Sequence, residues 1–377
     1  MPCLNEADTL GRCLEKASRA IEEHRIHGEI IVADNGSTDG SMEIARRLGA
    51  SVIEVKTPGY GNALMGGIAA ARGRFIIMGD ADDSYDFGEV PKLIERLREG
   101  NELVQGCRLP SGGGKILPGA MPWLHRWCGN PLFSMMVRSM YGAPIHDVYC
   151  GLRGFSRDLY DRLNLRCTGM EFAVEMVIKS SLFGARIAET PITLHPDGRQ
   201  SHAPHLRTFR DGWRTVRFYL MYSPRWLFLI PGMLLILLGM LGYALALPGF
   251  QVFGATLGVH TLLVASLAIL LGFQSLLFAL FAKTFGITEG MMPPDRRLEA
   301  FFRYAKLETG LLVGSGGFLL GWGLIAVAWN RWRLTGFGPL DYASTMRLVI
   351  PGVTLAALGF QTVLSSFFVS ILGMGRK

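Results

Sequence analysis

Short apolar runs alternate with helical patterns over the first 80 residues of the chain. Residues 8–23 carry apolar side chains at helical spacing, and residues 41–48 and 63–71 are further predicted helices. Between these helices, apolar runs predict buried strands at residues 29–34, 51–55 and 75–79. Because strands that alternate with helices usually form a parallel sheet covered on both faces, we predict an α/β fold of that kind.

Two of the predicted strands end at an acidic residue. Asp34 closes the strand at residues 29–34, and Asp80 directly follows the strand at residues 75–79. Ligands of such sheets bind beyond the carboxyl ends of the strands, so we expect both carboxylates at a binding site. We assign Asp34 to the base or ribose of a nucleotide, whereas Asp39 is expected to cap the next helix.

A segment of a different kind, residues 206–224, precedes the apolar part of the chain. Its helical pattern separates a basic face from an apolar one, with Arg207, Arg210, Arg214 and Arg217 opposed to Phe209, Trp213, Val216 and Leu220. This division is typical of a helix that lies in the membrane interface. An ordinary surface helix is the alternative, but the adjoining apolar blocks favour the interfacial one.

Four apolar blocks follow, at residues 226–247, 256–280, 310–329 and 348–372. Each is long enough to cross a bilayer, which takes about 20 residues. The linker at residues 283–308 carries several Lys and Arg side chains, so the positive-inside tendency places it in the cytoplasm together with the amino-terminal domain. We predict a soluble domain at 1–205, an interfacial helix at 206–224 and a transmembrane domain at 225–377, in an integral protein of a bacterial inner membrane.

Composition supports this division and narrows the partners. Hydrophobic residues make up 49% of the 377 residues and the mean hydropathy is +0.28, which is too apolar for an ordinary soluble enzyme. The formal net charge of +7 suits contact with anionic lipid and an anionic substrate. Nucleic acid is not favoured, because the arginines that cluster lie beside a predicted span. The six cysteines form no C-x-x-C pair, which argues against a zinc site.

The start of the chain has its own pattern. Residues 2–6 look like the end of a strand, although almost no residues precede them. We therefore expect the natural chain to begin a few residues upstream. The polar residues Asn5, Glu6 and Asp8 argue against a signal peptide.

The strongest chemical signal is the acidic run that begins at Asp80. Asp80, Asp82 and Asp83 crowd carboxylates into a strand-end turn, where they repel one another unless a cation is present. Mg²⁺ and Mn²⁺ prefer oxygen ligands and bridge to phosphates. A solvated acidic loop is the alternative, since D-x-D is a common string, but its position after an apolar strand favours a metal site.

Three further loops carry candidate binding groups. Gly59 and Gly61 allow the backbone to approach a ligand at a helix start, although a tight turn fits equally well. Asp147 and Arg153 share a loop, either as an acceptor-orienting acid and a phosphate-binding arginine or as an internal salt bridge. Arg199 is a candidate clamp for a diphosphate, with ordinary loop solvation as the alternative.

As a set, these motifs resemble glycosyltransferase family 2, and within it the polyprenyl-phosphate glycosyltransferases similar to dolichol-phosphate mannose synthase. The likeness covers roughly the first 220 residues and rests on the order and spacing of residues 2–6, 34–39, 59–63, 80–82 and 147–153. It implies an α/β GT-A (Rossmann-like) catalytic domain. It also implies inverting transfer of a hexose from a UDP- or GDP-sugar to a polyprenyl (undecaprenyl or dolichyl) phosphate at the cytoplasmic membrane face, with Mg²⁺ or Mn²⁺.

The resemblance implies five kinds of role: nucleotide contact, metal ligation, donor-sugar contact, acceptor orientation and phosphate binding. The nucleotide-contacting residues are Pro2, Glu6, Asp34, Gly59 and Gly61. The metal ligands are Asp82, Asp80 and Asp83, and Asp80 also contacts the donor sugar. Asp147 orients the acceptor, and Arg153 and Arg199 bind phosphates. The membrane part presents the lipid at the interface. Because a lipid phosphate is already anionic near neutral pH, we expect Asp147 to orient it rather than to act as a base.

The chain departs from the family pattern at four places, of which the first is the truncated first strand that carries Pro2 and precedes Glu6. Ser84 stands where mannose synthases commonly carry Gln, so Asp83 or Asp86 is a candidate for the remaining metal ligand. Cys150 stands where Ser is frequent. The tail of four spans differs from relatives with two spans or none.

Other functions fit parts of the pattern. A processive polysaccharide synthase is disfavoured because the sequence has no Q-x-x-R-W motif. A glycosyltransferase that acts on a lipid hydroxyl is an alternative in which Asp147 is a true base. A non-catalytic membrane scaffold with a vestigial nucleotide fold is the third possibility, and assembly into homo-oligomers is left open.

Overall fold

The computed structural model describes residues 1–199, 208–252, 254–304 and 306–374. These residues form two compact units, Met1–Tyr219 and Leu220–Lys377. Leu206 and Arg207, at the start of the predicted interfacial helix, lie outside the described residues.

The first unit alternates strands and helices, as the hydrophobic pattern predicts. Its elements are β1 (Pro2–Cys3), α1 (Leu10–Glu23), β2 (Ile31–Asp34), α2 (Ser41–Arg47), β3 (Ser51–Glu54), α3 (Tyr60–Ala70), β4 (Phe75–Met78), α4 (Val90–Arg98), β5 (Leu103–Cys107), β6 (Lys115–Ile116), α5 (Asn130–Tyr141), β7 (Arg153–Ser156), α6 (Arg157–Leu163), α7 (Glu171–Leu182), β8 (Ile187–Pro191), β9 (Thr193–Leu194) and α8 (Thr208–Met221).

The strands form two larger sheets, not the single parallel sheet that the sequence predicts. β2 lies between β1 and β3 in a parallel sheet, and Asp34 pairs with Cys3 on one side and Glu54 on the other. The second sheet has the order β4–β7–β5–β8, in which β7 runs antiparallel to both neighbours. The prediction of an all-parallel sheet is therefore wrong. The physical reason for the difference is β7. It follows a loop, and an antiparallel strand can join a sheet in this way, whereas a parallel strand needs a crossover connection, usually a helix.

Helix α3 covers the first sheet at very close range. A Cβ added at Gly67 of α3 would lie 3.1 Å from the Cβ of Ala33 in β2, so a side chain there would push the helix away. Helix α4 covers the second sheet, and its Leu93 and Leu97 are buried together with Val104 of β5. Both carboxyl-terminal strand ends that carry acids thus belong to well-packed layers.

Helix α8 confirms the predicted helix before the apolar part, and it packs on α5. The hydroxyl of Tyr141 donates to the carbonyl oxygen of Tyr219. The rings of Phe133 and Tyr219 meet edge to face, with centroids 6.2 Å apart. Trp213 on the same helix is 65% exposed. The location of α8 in a membrane interface stays a prediction.

The second unit is helical. It contains α9 (Ile230–Ala246), a hairpin of β10 (Gln251–Val252) and β11 (Ala255–Thr256), α10 (Val259–Thr288), α11 (Arg296–Tyr304), α12 (Leu307–Leu334) and α13 (Tyr342–Met374). Among the described residues, four segments are long and apolar enough to cross a membrane: Arg225–Ala246, Val259–Thr288, Leu307–Leu334 and Tyr342–Gly373. They match the four predicted spans.

Glycines bring the membrane helices into backbone contact. A Cβ added at Gly321 of α12 would lie 2.4 Å from the backbone nitrogen of Ala356, and one added at Gly359 of α13 would lie 2.3 Å from that of Phe318. Small residues of this kind allow helices to associate in lipid through close van der Waals contact.

The six cysteines carry free thiols, but their surroundings differ. Cys3, Cys13, Cys107 and Cys150 are buried, whereas Cys128 is exposed. Burial raises the pKa of Cys3 to about 11 and that of Cys13 to about 12. The buried thiols are therefore protonated at neutral pH.

Candidate active site

Asp34 is a buried carboxylate with one oxygen bonded and the other not. Its Oδ2 accepts hydrogen bonds from the backbone N–H groups of Gly36 and Ser37, both at 2.9 Å. Its Oδ1 is buried and has no hydrogen-bond partner among the described residues. A buried acceptor of this kind carries a free-energy cost unless a ligand supplies a donor, such as a base N–H or a ribose hydroxyl.

The segment after β1 is tied to the loop that follows Asp34. The backbone N–H of Asn5 donates to Ser37 Oγ, and that of Glu6 donates to Ser41 Oγ, both at 2.9 Å. Asn5 has a positive φ of 58° and so turns the chain sharply after the strand. Glu6 is thereby fixed beside the Asp34 loop, while Pro2 lies within β1. Their contact with a nucleotide stays a prediction.

Asp80 is held from two sides at the end of β4. Its Oδ1 accepts a hydrogen bond from the Tyr60 hydroxyl at 2.9 Å. Its Oδ2 lies so close to Gly151 that an added Cβ there would be 2.4 Å away. Burial and the nearby Asp82 carboxylate raise the pKa of Asp80 to about 6, against the opposing effect of the Tyr60 hydrogen bond. Asp80 and Asp82 thus form a repelling pair.

Asp82 is oriented by the residue that departs from the family pattern. Its Oδ1 accepts hydrogen bonds from the backbone N–H of Ser84 at 3.0 Å and from the Ser84 hydroxyl at 2.6 Å. Its Oδ2 lies 3.5 Å from Nη1 of Arg199. Ser84 therefore fixes the direction of Asp82, whose second oxygen faces a cation.

Asp83 and Asp86 face other partners. Asp83 has a positive φ of 63°, and its carboxylate forms salt bridges with Lys16 at 2.7 Å and Arg12 at 3.4 Å. Asp86 accepts a hydrogen bond from the backbone N–H of Gly88. Of the predicted metal-binding acids, the structure brings Asp80 and Asp82 together and directs Asp83 towards α1.

Arg199 occupies the centre of the acidic group. Its Nε and Nη2 donate to both carboxylate oxygens of Glu6, at 2.8 Å and 2.5 Å. Its Nη1 also donates to Asp197 at 2.9 Å. Burial disfavours this charge, but the hydrogen bonds to Glu6 and the field of Asp82 more than offset that effect and raise the pKa of Arg199. The guanidinium thus joins Glu6 to Asp82.

Asp147 forms its ion pair with Arg108, not with Arg153. Nε of Arg108 lies 2.7 Å from Asp147 Oδ2 and Nη2 lies 2.8 Å from Oδ1. The backbone N–H of Arg108 donates to Oδ2 at 3.0 Å. Asp147 is completely buried. Asp147 therefore does form an internal salt bridge, but the prediction of Arg153 as its partner is wrong, because the partner is Arg108.

Arg153 braces the loop that contains Asp147. Its Nη1 donates to the carbonyl oxygen of Ala173 at 2.5 Å, and its Nη2 donates to that of Cys150 at 2.6 Å. The side chain is completely buried, and burial lowers the pKa of Arg153. The structure thus places this arginine against backbone carbonyls, and its contact with a phosphate stays a prediction.

Gly59 and Gly61 face a neighbouring loop of the chain. A Cβ at Gly59 would lie 2.4 Å from the carbonyl oxygen of Thr168, and one at Gly61 would lie 2.3 Å from that of Cys167. Gly59 has a φ of +134°, which favours glycine. The same loop accepts a hydrogen bond from the backbone N–H of Asn62 at 3.2 Å. The close backbone approach is real, and it is to residues 167–168.

Sequence reasoning missed three residues of the site. Tyr60 donates to Asp80, and the Tyr85 hydroxyl accepts hydrogen bonds from Gly151 N–H at 2.8 Å and from Arg108 at 3.4 Å. The signal for Tyr60 was its position between two glycines, one of which opens the first turn of α3. Arg108 follows the apolar strand β5, where a charged residue at a strand end is itself a signal.

The acidic pair fits a divalent ion that a substrate helps to hold. Asp80 and Asp82 supply hard oxygen donors, and a bound cation would relieve their repulsion. No group of three acidic, His or Cys side chains in the described ranges is arranged to hold an ion alone. Mg²⁺ typically takes one or two carboxylates and completes its shell with waters and substrate phosphates, which is the arrangement this donor set suits.

The sequence matches two protein families. Residues 1–163 match glycosyl transferase family 2. Residues 280–373 match the glycosyltransferase family 2 C-terminal transmembrane region. Together with the four long apolar helices, the second match identifies an integral membrane protein.

Relatives of known name extend this result. The chain is 40% identical over 379 residues to the low-salt glycan biosynthesis hexosyltransferase Agl6 of Haloferax volcanii, which covers 99% of this chain and 88% of that protein. It is 32% identical over 193 residues to a dolichyl-phosphate hexose transferase of the same organism, covering 51% of this chain and 79% of that protein.

Solved structures are more distant. A crystal structure of glucosyl-3-phosphoglycerate synthase from Mycobacterium tuberculosis with Mn²⁺, UDP-glucose and phosphoglyceric acid is 22% identical, with a TM-score of 0.46. The match covers 58% of this chain and 76% of that chain.

The two family matches, with the mixed sheets and the long apolar helices of the described residues, confirm the predicted architecture of a GT-A-like domain followed by four apolar helices. The mixed sheets of the first unit belong to the family 2 region, and the relative at 40% identity spans almost the whole chain. The chain belongs to glycosyltransferase family 2.

Proposed function

We propose that this glycosyltransferase moves a hexose from a UDP- or GDP-sugar to a polyprenyl phosphate, with inversion, at the cytoplasmic face of the membrane. One observation carries the proposal: Asp80 is held by the Tyr60 hydroxyl at 2.9 Å, and Ser84 orients the nearby Asp82 so that its Oδ2 faces the Arg199 guanidinium at 3.5 Å. Such a pair suits the divalent ion that accompanies a nucleotide diphosphate. Similarity to a hexosyltransferase over nearly the whole chain supports hexose as the group transferred.

We assign the donor nucleotide to the carboxyl end of β2, beside Asp34. The unbonded Oδ1 of Asp34 is a ready acceptor for an N–H of the base or a hydroxyl of the ribose. Glu6 lies beside the loop that follows Asp34 and is joined to Asp82 through Arg199. The residues that we assign to the nucleotide are therefore connected to the acidic pair, Asp80 and Asp82, by one set of polar contacts.

The ion would be held by Asp82 and Asp80, with Mg²⁺ or Mn²⁺ as candidates. When bound, it supplies positive charge that offsets the charge on the departing diphosphate. Arg199 already balances Asp82 in the free chain, and in the complex it contacts the diphosphate instead. Ser84 keeps Asp82 in one orientation during this exchange.

The acceptor side favours a phosphate over a hydroxyl. A lipid phosphate is anionic near neutral pH and attacks the anomeric carbon without losing a proton. Both oxygens of Asp147 are held by Arg108, so this carboxylate is poorly placed to take a proton. Asp147 and Arg108 then shape the acceptor side of the site.

The membrane part fits a lipid acceptor. Four helices of the described residues are long and apolar enough to span a bilayer, and one relative that matches about half of this chain is a dolichyl-phosphate hexose transferase. The basic linker at residues 283–308 supports a cytoplasmic location for the catalytic unit.

Donor screening tests the proposal. Purified full-length protein in lipid nanodiscs would be incubated with labelled UDP- or GDP-hexoses, a polyprenyl phosphate and Mg²⁺ or Mn²⁺. We expect one donor to give a labelled glycolipid, and Asp82→Ala to abolish it. Glu95→Gln, an exposed acid on α4, is the matched control and should retain activity.

The negative outcomes are informative. Product with a lipid hydroxyl but not with a polyprenyl phosphate would contradict the phosphate acceptor. Absence of any glycolipid from every donor, in protein that is folded, would contradict the proposed function and favour a non-catalytic scaffold.

A further inference from the structure

An ion pair on α7 is completely buried. Nζ of Lys179 lies 2.9 Å from Oε1 of Glu175, and neither side chain is exposed to solvent. Burying two charges is expensive, and well-packed apolar side chains are often at least as stabilising. Stability alone is therefore a weak explanation for this pair.

Both members of the pair also form hydrogen bonds with one loop. Lys179 Nζ donates to the carbonyl oxygen of Asn164 at 2.8 Å. Glu175 Oε2 accepts from the backbone N–H groups of Arg166 at 3.0 Å and Cys167 at 2.8 Å. The pair thus fixes the backbone of residues 164–167 from inside the domain.

That loop in turn holds the first turn of α3. Cys167 and Thr168 press their carbonyl oxygens against Gly61 and Gly59 at distances that admit no Cβ. Thr168 also accepts the hydrogen bond from the backbone N–H of Asn62. The two backbones can move only together.

Tyr60 stands between the two glycines and carries this constraint to the acidic pair. Its hydroxyl donates to Asp80 Oδ1, while Gly151 lies against Oδ2. A tyrosine hydroxyl is protonated at neutral pH, so it can donate this hydrogen bond. The direction of the Asp80 carboxylate depends on where Tyr60 is held.

We propose that Tyr60, Glu175 and Lys179 are positioning residues: the buried pair sets the loop at residues 164–168, the loop sets α3, and Tyr60 sets Asp80 for metal and donor binding. This inference rests on the proposed function, because it assigns Asp80 to the metal and the donor. No residue of the buried pair touches substrate in this arrangement.

The test measures Mn²⁺ binding rather than turnover. Full-length wild type, Tyr60→Phe, Glu175→Gln and the double variant would be titrated with Mn²⁺ in the presence of UDP or GDP, following free Mn²⁺ by electron paramagnetic resonance. Tyr60→Phe removes a hydrogen bond to a charged group, so we expect a half-saturating Mn²⁺ concentration about tenfold higher. Glu175→Gln should raise it several-fold, and the double variant should match Tyr60→Phe.

Controls separate positioning from folding. Tyr304→Phe makes the same chemical change at a tyrosine of α11 that is 78% exposed, and this variant should bind Mn²⁺ as wild type does. Melting curves without metal or nucleotide report whether each variant is folded. Should Glu175→Gln not fold, Tyr60→Phe still tests the last step, since it leaves the buried pair and the loop untouched.

The outcomes distinguish the two proposals. If wild type binds neither Mn²⁺ nor nucleotide, the proposed function fails. If wild type binds both and Tyr60→Phe binds Mn²⁺ equally well, the positioning inference fails and the function stands. Additive effects of Tyr60→Phe and Glu175→Gln on Mn²⁺ binding in the double variant would contradict the proposed connection between the buried pair and Tyr60.

Discussion

Arg199 lies with its Nη1 3.5 Å from Oδ2 of Asp82, the carboxylate that we propose as a metal ligand. Since it also binds both oxygens of Glu6, the free chain neutralises part of its acidic group with its own cation. Arg199→Gln should therefore tighten Mn²⁺ binding without nucleotide by several-fold. The same variant should raise the KM for the donor, because the diphosphate loses a charged partner.

Tighter Mn²⁺ binding together with a higher KM for the donor would show that Arg199 exchanges Asp82 for the diphosphate when the donor binds. Arg46→Gln removes an exposed arginine that pairs with Glu54 on the far side of β3 and should change neither value. Weaker Mn²⁺ binding in Arg199→Gln, measured without nucleotide, would show that the arginine does not compete with the ion.

The ion pair of Asp147 and Arg108 predicts a large loss of stability on removing one charge. Asp147→Asn leaves the Arg108 guanidinium buried without a counter-charge, which costs about 3 kcal/mol in comparable cases. We expect a lower melting temperature, and partial recovery when Arg108→Met is added. Activity per folded molecule should keep the wild-type pH profile with a polyprenyl phosphate acceptor.

A base role makes the opposite prediction for that profile. If Asp147→Asn abolishes turnover at pH 8 in fully folded protein, the carboxylate takes part in proton transfer and the acceptor is more consistent with a hydroxyl.

The pKa of Asp80 predicts a pH-dependent cost to stability. Its folded value of about 6 lies above the ordinary value of 3.8, so between these values the folded chain binds more protons than the unfolded one. The free energy of unfolding therefore falls as pH rises through this window. Asp80→Asn should raise the free energy of unfolding at pH 8 by about 3 kcal/mol, and with it the melting temperature, and should make little difference at pH 4.

The stability that Asp80→Asn gains should come with a loss of Mn²⁺ binding. Addition of Mn²⁺ and nucleotide to wild type at pH 8 should restore the missing stability, because a cation removes the repulsion between Asp80 and Asp82. An Asp80→Asn variant that melts below wild type at pH 8 would contradict the pKa assignment.

Two glycines at the same helical position predict opposite effects. Gly11 and Gly61 are each the second residue of a helix. A Cβ at Gly11 would meet only ordinary contacts at 3.7 Å, whereas one at Gly61 would lie 2.3 Å from the Cys167 carbonyl oxygen. Gly11→Ala should stabilise the chain by about 0.5 kcal/mol through helix propensity. Gly61→Ala should destabilise it and weaken Mn²⁺ binding, as chemical denaturation and titration would show.

Equal melting temperatures for the two variants would mean that the loop at residues 164–168 yields easily. In that case the close contact at Gly61 does not hold α3 in place.

Local patterns were enough to predict helices α1, α2, α3 and α8 and the four spans. Leu10, Cys13 and Leu14 of α1 repeat at helical spacing and are buried as that spacing requires. The four apolar segments depend only on length and composition, which are local properties of a sequence. Asp80 and Asp82 were recognisable as candidate site residues because an acidic turn after an apolar strand is also a local pattern.

Contacts between distant segments were not predictable in this way. β7 joins the second sheet between β4 and β5, and nothing in the four residues Arg153–Ser156 states which strand they pair with. Asp147 was paired with Arg153 because the two are neighbours in sequence, whereas Arg108 reaches it from 39 positions away. Partner choice of this kind depends on tertiary packing.

The distribution of thiols has a practical consequence for experiments on this protein. Maleimides react with thiolates, and burial keeps Cys3, Cys13 and Cys107 protonated and out of reach. Cys128 is exposed, one residue from Trp127, which is itself 59% exposed. An environment-sensitive fluorophore attached to the unmodified chain should therefore label mainly this turn and report directly whether it is surrounded by water or by lipid.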